Sequence, residues 1–543
     1  MMKRAILVFA LIAVVALPFL LRPKHVSVAN ADETVVVVTP HNEAIRYEYS
    51  RGFAKWYKAK TGKTVAVDWR VLGGTSEIAR FLESEYITAF RNYWTNTLHK
   101  RWSAEIQSGS QNSRLPADAP EAVKDARAAF MASDVGCGID VFFGGGTYDF
   151  AKQASAGRFV PSDLPARHPD WFADDVIPQE YTGEEYRDKQ NRWFGCVLSS
   201  FGIIYNRDAL NHLGIEVPPK QWDDITSFRY FGQVALCDPT KSGSIAEAFE
   251  NVIQQQMQRR LRELRSEKPN ETVAARARNA VRDGWDNGLR ILQLIGANAR
   301  YFTDTSQKPP IDVAAGNCAV GMCIDFYGRT QVESAARRNA TNRLGYVAPA
   351  GGTVYSVDPI GLLRGAPHKE VATAFMEFVL SMDGQKLWNF KVGTPGGPDR
   401  YALRRIPVRR DFYSHREWDE FRSDPDARPY DEADQLVYRE AWTGNLFREM
   451  AFIIRVMCQD THEDLTDAWR AINLPSITSE NRKAALAILQ DMTAVSYERA
   501  GKEIKQALGS KNKVDEIRLA NQLAGDFRRN YRKATETALG QSR

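Results

Sequence analysis

The sequence has few cysteines, little net charge and a single long apolar run. Its 543 residues carry 72 basic and 67 acidic side chains, a formal charge of +5, which excludes a nucleic-acid-binding protein that relies on bulk charge. The six cysteines are scattered and form no Cys-x-x-Cys motif, which argues against a zinc ribbon or a thioredoxin-type redox site. Hydrophobic residues make up 43% of the chain and charged residues 26%, so the composition is that of a globular protein.

The usual catalytic motifs are also missing. HExxH and GxSxG motifs indicate hydrolases, a P-loop indicates phosphate binding, and GxGxxG indicates dinucleotide binding. The sequence contains none of these motifs. The histidines are dispersed, and His462, which Glu463 follows, has no second histidine four residues later. We therefore predict no catalytic residue, no resident metal and no cofactor, so the protein is not expected to be an enzyme.

The long apolar run lies at the N-terminus and predicts export. Lys3 and Arg4 precede the apolar residues 5–21, and Ala-Asn-Ala at 29–31 fits a signal-peptide cleavage site. Cleavage after residue 31 and retention of 5–21 as a membrane anchor both remain open, because the run is at the lower edge of what spans about 30 Å of hydrocarbon. In either case residues 32–543 are expected in the periplasm, outside the cytoplasm. Because the first 31 residues hold four basic and no acidic side chains, this remainder has a formal charge of only +1.

Beyond this run the sequence alternates strands and helices. The β-branched run 34–39 is typical of a strand buried on both faces, and an amphipathic helix follows it to about Lys60. Further strands are predicted at 64–71 and 139–143, each followed by a turn rich in Gly, Ser and Thr. This order indicates an α/β fold with a largely parallel sheet. Helical sequence is added in three places: an insertion at 86–130, two arms at 246–295, and a tail from 411.

Small polar residues collect in four strand-to-helix turns, at 39–43, 73–77, 144–147 and 238–244. Free backbone N–H groups and the helix dipole favour negative charge at such turns, and ligands of open α/β sheets sit at the carboxyl ends of strands. Plain N-capping by Ser, Thr or Asn is the alternative for each turn taken singly. Four such turns without a catalytic group favour binding, and a small anionic solute suits them best.

Several segments together resemble a known family. They read VVVVTPHNEAI, GGTSEIARFL, DVFFGGGTYDF, SSFGIIYNRDAL, CIDFYGR and VDPIGLLRGAPHKEVATAFMEFVLS, and they lie in this order within 34–390. The sequence resembles the extracellular solute-binding proteins of bacterial ABC importers, with the type II periplasmic binding fold. Within that group it is similar to the ferric-ion, phosphosugar and polyamine binders.

The resemblance implies two α/β lobes joined by hinge strands, with the solute in the cleft between them and a permease in the inner membrane as partner. Crossing strands are expected near 140–143, 201–205 and 353–359. The expected domains are lobe 1 at 32–143 and 353–410, lobe 2 at 144–352, and a helical C-terminal extension at 411–543. No nucleic-acid partner is expected, and an N-terminal membrane tether remains open.

By position in this fold, the resemblance makes the turn residues the candidates for ligand binding. They are His41, Asn42, Thr75, Ser76, Thr147, Ser199, Ser200, Ser242, Ser244, Asp325 and Tyr327.

A ferric-ion binder of the same family is the alternative, with Fe³⁺ as the transported ligand held by His41, Asp325 and Tyr327. The sequence departs from that pattern, because glycines occupy 144–146 where ferric binders have a carboxylate, and Phe326 replaces one of two adjacent tyrosines. Since Fe(III) requires several anionic oxygens, the anionic solute is the preferred prediction. From different classes, a secreted hydrolase on this scaffold and a sensor or scaffold protein that uses the charged tail also remain open.

Overall fold

The computed structural model describes residues 30–339, 341–431, 435–510 and 512–541. The N-terminal apolar run at 5–21 lies outside these residues, and with it the choice between a signal peptide and a membrane anchor. Within the described ranges, no helix is both long enough and apolar enough to cross a membrane.

The strands of the described chain form two large sheets and one short hairpin. Their bounds are β1 (Glu33–Val38), β2 (Val65–Arg70), β3 (Val141–Phe143), β4 (Glu180–Tyr181), β5 (Glu184–Glu185), β6 (Trp193–Ser199), β7 (Phe201–Asn206), β8 (Val234–Cys237), β9 (Ala299–Thr303), β10 (Val320–Ile324), β11 (Leu344–Val347), β12 (Ser356–Leu362) and β13 (Ile406–Pro407). One sheet has the order β13-β6-β12-β3-β1-β2, the other has the order β11-β7-β10-β8-β9, and β4 pairs with β5.

Helices surround both sheets. Their bounds are α1 (Glu43–Thr61), α2 (Thr75–Asn92), α3 (Ala104–Ser110), α4 (Glu121–Ala132), α5 (Thr147–Ala156), α6 (Leu164–Arg167), α7 (Arg207–His212), α8 (Gly243–Glu267), α9 (Val273–Ala297), α10 (Lys308–Ala315), α11 (Asp325–Asn339), α12 (Lys369–Leu380), α13 (Met382–Asn389), α14 (Glu440–Thr443), α15 (Phe447–Ile454), α16 (His462–Ile472), α17 (Ser479–Leu489), α18 (Tyr497–Arg499), α19 (Lys505–Gly509) and α20 (Lys513–Ala538).

The six-stranded sheet forms as the sequence predicts. The four valines of β1 are buried, and β1 pairs in parallel with β2 on one side and β3 on the other. A strand in the middle of a parallel sheet has both faces covered, which explains the continuous β-branched run. The order β1, α1, β2 is the predicted βαβ unit.

The chain crosses between the two sheets at Ser200. Strand β6 ends one residue before it in the six-stranded sheet, and β7 begins one residue after it in the five-stranded sheet. The return crossing runs from β11 to β12, whose pairing with β6 is antiparallel. Two α/β lobes joined by crossing segments are the architecture of the predicted two-lobed fold.

Two details of this crossing differ from the prediction. Strand β3, in the predicted crossing segment 140–143, pairs with β1 and β12 and stays within the six-stranded sheet. The sheets change at Ser200, whereas the sequence predicts the lobe boundary after 143. The apolar residues of β6 and β7 form one nearly continuous run, so the pattern alone does not show that the chain changes sheets within it.

The C-terminal extension completes the core of the second lobe. Residues 411–431 pack on the first lobe, whose buried cluster includes Phe412 and Tyr413, and the helical part begins at α14. From there the buried side chains join one cluster with those of α8 and α9. Trp285 on α9, for example, donates its indole N–H to the carbonyl of Val495 at 2.9 Å. From α14 onward the tail is therefore an integral part of the second lobe, contrary to the alternative in which its helices present a free surface.

Candidate ligand sites between the two lobes

A charged cluster lies where the chain crosses between the lobes. We call it the hinge centre and define it by His41, Ser199, Asp325, Asp358 and Arg405. The side chain of Arg405 is fully buried, and its Nη2 lies 2.6 Å from Ser199 Oγ and 2.9 Å from Asp358 Oδ1. Ser199 Oγ in turn donates to Asp358 Oδ1 at 2.9 Å. This triad ties β6, β12 and the segment before β13 together inside the first lobe.

The same guanidinium reaches the second lobe. It lies 4.2 Å from the ring centroid of Phe326, at the start of α11, which is a cation–π geometry. Its Nε and Nη1 have no hydrogen-bond partner among the described residues. Arg405 therefore contacts both lobes and keeps two donor nitrogens, Nε and Nη1, available for an acceptor.

Asp325 and His41 bring titratable groups to this centre. Asp325 is 0% exposed, and neither of its carboxylate oxygens has a hydrogen-bond partner in the described parts of the chain. Burial raises the pKa of Asp325 to about 6, which the positive charges of Arg329 and Arg405 oppose. Burial and the charge of Arg405 lower the pKa of His41 well below its usual value. A buried carboxyl and a neutral imidazole thus flank the guanidinium.

The glycine turn after β3 packs against two predicted site residues. Gly144 and Gly145 have φ values of +89° and +119°, which non-glycine residues rarely adopt. A Cβ on Gly144 would collide with the imidazole of His41, and one on Gly145 would lie 2.7 Å from Thr75 Oγ1. Close packing therefore explains why glycines stand where ferric binders have a carboxylate.

Some predicted site residues have local structural roles. The side chain of Asn42 caps α1 by accepting from the N–H of Ile45 at 3.1 Å. Ser242 caps α8 in the same way, accepting from the N–H of Ile245 at 3.4 Å. In these two turns the structure shows N-capping by the side chain. Ligand binding by Asn42 and Ser242 stays a prediction.

The remaining predicted residues are spread along the interlobe seam. Ser200 is fully buried at the crossing, and Tyr327 is half-buried, with its ring centroid 4.0 Å from that of Phe326. Burial raises the pKa of Tyr327 above its usual value. Ser76 and Ser244 are half-buried near the starts of α2 and α8. Their roles in binding stay predictions.

A separate cavity of about 120 Å³ lies between the starts of α5 and α8, the β4–β5 hairpin and the segment 438–447. We call it the carboxylate cavity. Thr147, a predicted site residue, is part of its lining. The carboxyl groups in its wall are those of Asp149, Glu184, Glu185, Glu247, Glu250 and Glu440. Both lobes and the C-terminal extension contribute to it.

Burial perturbs these carboxyl groups strongly. It raises the pKa of Asp149 to about 6, against the charges of Lys152 and Arg80. It raises the pKa of Glu250 to about 7, although the hydroxyl groups of Thr443 and Tyr438 donate to this carboxylate. Burial also raises the pKa of Glu247 to about 8, with the Ser356 hydroxyl opposing the shift.

Glu184 is another perturbed carboxyl group that the sequence did not suggest. Burial raises its pKa well above the usual value, and the negative charges of Glu247, Glu250 and Glu440 act in the same direction. The sequence showed neither this cavity nor Arg405, because their side chains come from separate segments with no shared motif. A sequence signal exists in part, since Glu247 and Glu250 are three residues apart and so lie on one face of α8.

The sequence pattern that defines the bacterial extracellular solute-binding proteins matches residues 134–413, just over half of the chain. The chain belongs to this family. The predicted family is thereby confirmed, and the solute-binding protein has the two lobes that the family implies.

Similar proteins differ in the ligands named for them. A protein of Haemophilus influenzae is 25% identical over 248 residues, which are 46% of this chain and 60% of that protein. Two similar solved structures are periplasmic AfuA from Actinobacillus pleuropneumoniae with fructose-6-phosphate bound, and iron-bound HitA from Pseudomonas aeruginosa. AfuA is 18% identical, with a TM-score of 0.42, over 65% of this chain and 81% of AfuA. HitA is 15% identical, with a TM-score of 0.45, over 78% of this chain and 99% of HitA.

Within the described residues, no three His, Cys, Asp or Glu side chains converge as metal ligands.

Proposed function

We propose that this solute-binding protein is the extracytoplasmic receptor of an ABC importer. It binds a small solute between its lobes and delivers the solute to a permease in the inner membrane. The observation that carries the proposal is the hinge centre, where Arg405 contacts Ser199 and Asp358 of one lobe and Phe326 of the other. A solute bound there touches both lobes, so that binding favours the closed arrangement.

The free donors of Arg405 favour an anionic group on the solute. One Nη of the guanidinium is engaged by Ser199 and Asp358, which leaves Nε and Nη1 for carboxylate or phosphate oxygens. Hydrogen bonds from a guanidinium to such oxygens are charge-assisted and strong. Burial favours the protonated form of Asp325, and a protonated carboxyl can donate a hydrogen bond to the anion, which reduces repulsion at the centre.

Ferric ion fits this centre less well. The positive charge of Arg405 acts on His41, Asp325 and Tyr327 alike. Because this fixed positive charge lies near all three expected iron ligands, it repels a trivalent metal ion and weakens its binding.

A thermal-shift screen tests the proposal. Sugar phosphates, dicarboxylates, diamines and ferric citrate are added separately to the purified protein, and the rise in Tm reports the ratio of ligand concentration to Kd. We expect an anionic solute to raise Tm, and Arg405→Gln and Arg405→Lys to abolish or weaken that rise. Arg265→Gln is the matched control, because Arg265 is exposed on α8.

Three results would contradict the proposal. If no small solute raises Tm while a protein partner does, the protein is a scaffold. Turnover of a screened ester would indicate a hydrolase. A tyrosinate-to-iron colour that is lost in Tyr327→Phe would support the ferric alternative.

Transport itself is tested by loss of solute uptake in cells that lack the protein.

A further inference from the structure

Two adjacent arginines of the first lobe contact the same helix of the second lobe. Arg405, in the hinge centre, lies 4.2 Å from the ring centroid of Phe326 near the start of α11. Arg404 makes an ion pair with Glu333, which lies further along the same helix. Phe326 and Glu333 are about two helical turns apart, so both lie on one face of α11. The helix is therefore in contact with the first lobe at two points along its length.

The side chain of Arg404 is anchored in the first lobe. Its Nη1 lies 3.2 Å from Asp424 Oδ1. The carbonyl of Asp424 accepts from Nη2 of Arg422 at 3.0 Å, and Nε of Arg422 donates to Asn389 Oδ1 on α13 at 3.1 Å. These contacts stay within the first lobe, whereas the ion pair with Glu333 crosses to the second.

The backbone of Arg404 has an unusual conformation. Its φ of +54° lies in the left-handed region, which non-glycine residues rarely adopt and which persists only where the surroundings enforce it. The next N–H, that of Arg405, donates to the carbonyl of Trp388 at 2.8 Å. In an extended segment consecutive side chains point to opposite sides, whereas here both arginines contact α11. The left-handed turn at Arg404 explains how they do so.

The ion pair between the lobes is largely shielded from solvent. The side chain of Arg404 is 11% exposed, that of Glu333 is 19% exposed and that of Asp424 is 18% exposed. Salt screens partly buried charges less than exposed ones, and exposed ion pairs contribute little to stability. A shielded, charge-assisted contact at this place can therefore hold the two lobes together.

A second ion pair of Glu333 serves as an internal comparison. Arg337 lies one turn further along α11, and its Nη2 is 2.5 Å from Glu333 Oε1. This pair lies within one helix, and the side chain of Arg337 is 64% exposed. It does not depend on how the two lobes are arranged, in contrast to the pair with Arg404.

We propose that the ion pair between Arg404 and Glu333 is a latch that holds the second lobe against the first. Because Asp325 and Phe326 begin α11, the latch also keeps these two residues at the hinge centre. Arg404 is thus a positioning residue that acts through α11. Loss of the latch should let the lobes separate more easily and a bound solute leave faster. The effect on solute release rests on the proposed function, whereas the coupling of the lobes does not.

The test uses the purified, solute-free protein and its variants Arg404→Gln and Glu333→Gln. Small-angle X-ray scattering measures the radius of gyration, which we expect to be larger in both variants. Hydrogen exchange of the α11 amides should be about tenfold faster, as expected when one charge-assisted contact that holds the helix is lost. Arg337→Gln is the matched control, and both measurements should equal those of the wild type. Circular dichroism melting shows that each variant is folded.

The double variant Arg404→Gln with Glu333→Gln tests whether the two residues act as a pair. Both single variants lose the same contact, so the double variant should open the lobes no further than either of them. Additive changes would overturn the latch, as would an unchanged radius and exchange rate in both single variants. An effect in Arg404→Gln alone would assign the role to the pair with Asp424 and would also overturn it.

These measurements separate the latch from the proposed function, because no solute is added. A solute screen that finds no ligand leaves the result for the latch unchanged. Conversely, if the lobes of the variants stay together, the latch fails while anion binding that depends on Arg405 can still hold.

Discussion

At the hinge centre, the buried guanidinium of Arg405 has the carboxylate of Asp358 at 2.9 Å. In the carboxylate cavity, Glu184 and Asp149 have no ion-pair partner among the described residues, although the charges of Lys152 and Arg80 act on Asp149 from farther away. Both places are enclosed between the two lobes. In the first region Arg405 and Asp358 are paired within the protein, so removing either partner should destabilise the fold. The second is unpaired in the described chain, so removing a charge should stabilise it. This contrast teaches that the effect on stability of removing a buried charge depends on whether the protein itself supplies its partner.

The largest effect is expected at the paired centre. Arg405→Ala leaves Asp358 without its cation, and breaking a buried ion pair typically lowers the free energy of unfolding by about 3–5 kcal/mol. Urea denaturation measures the change, with Arg265→Ala at an exposed position as the control. A loss no larger than that of the control would mean that the pair does not stabilise the fold.

The opposite sign is expected in the cavity. Glu184→Gln removes a buried charge without a partner, and we expect it to raise the free energy of unfolding of the ligand-free protein by about 1–2 kcal/mol at pH 8. The same urea experiment measures it. A destabilised variant would show that Glu184 is already paired, which would erase the contrast between the two regions.

The pH dependence sharpens the comparison. Glu250 and Glu247 have pKa values of about 7 and about 8 in the folded protein, above those of an unfolded glutamate. The folded state therefore binds protons more tightly, and stability should fall as pH rises from the unfolded values to about 8. The pKa of His41 is lowered in the folded protein, so this group makes stability rise with pH, but only at lower pH. Measurements between pH 6.5 and 8.5 avoid this opposite effect.

Within that window we expect a loss of about 1–2 kcal/mol in the free energy of unfolding. The double variant Glu247→Gln with Glu250→Gln should flatten the slope, and an unchanged slope would contradict the assignment. The other groups at this cavity are Asp149, Glu184, Glu185, Glu440, Tyr148 and Tyr438, together with the nearby cations Arg80, Lys152 and Lys189.

The smallest effect is expected at Ser199. Its hydroxyl connects Arg405 to Asp358, but the direct ion pair remains in Ser199→Ala. We expect a loss of about 1 kcal/mol in the free energy of unfolding, typical of one hydrogen bond. Ser76→Ala, at a half-buried serine in the first turn of α2, is the comparison, and equal losses would show that the Ser199 hydroxyl has no special role.

Much of the architecture could be predicted from local patterns. The valine run of β1, the Asn42 cap and the glycine turn after β3 each encode their structure within a few residues. The change of sheet at Ser200 could not be predicted, because residues on both sides of it are apolar and strand-forming. The pairing of β6 with β12 and of β7 with β10 decides it.

The candidate sites divide in the same way. The turn residues His41, Thr75 and Asp325 could be named because strands of one sheet end at a common edge. Arg405 and Glu184 could not be named, since each is one charged residue among many and only long-range contacts bury it. The sequence by itself determined the alternation of strands and helices and the family. The tertiary structure decided which charges are buried and paired, because burial and pairing depend on segments that are far apart in the chain.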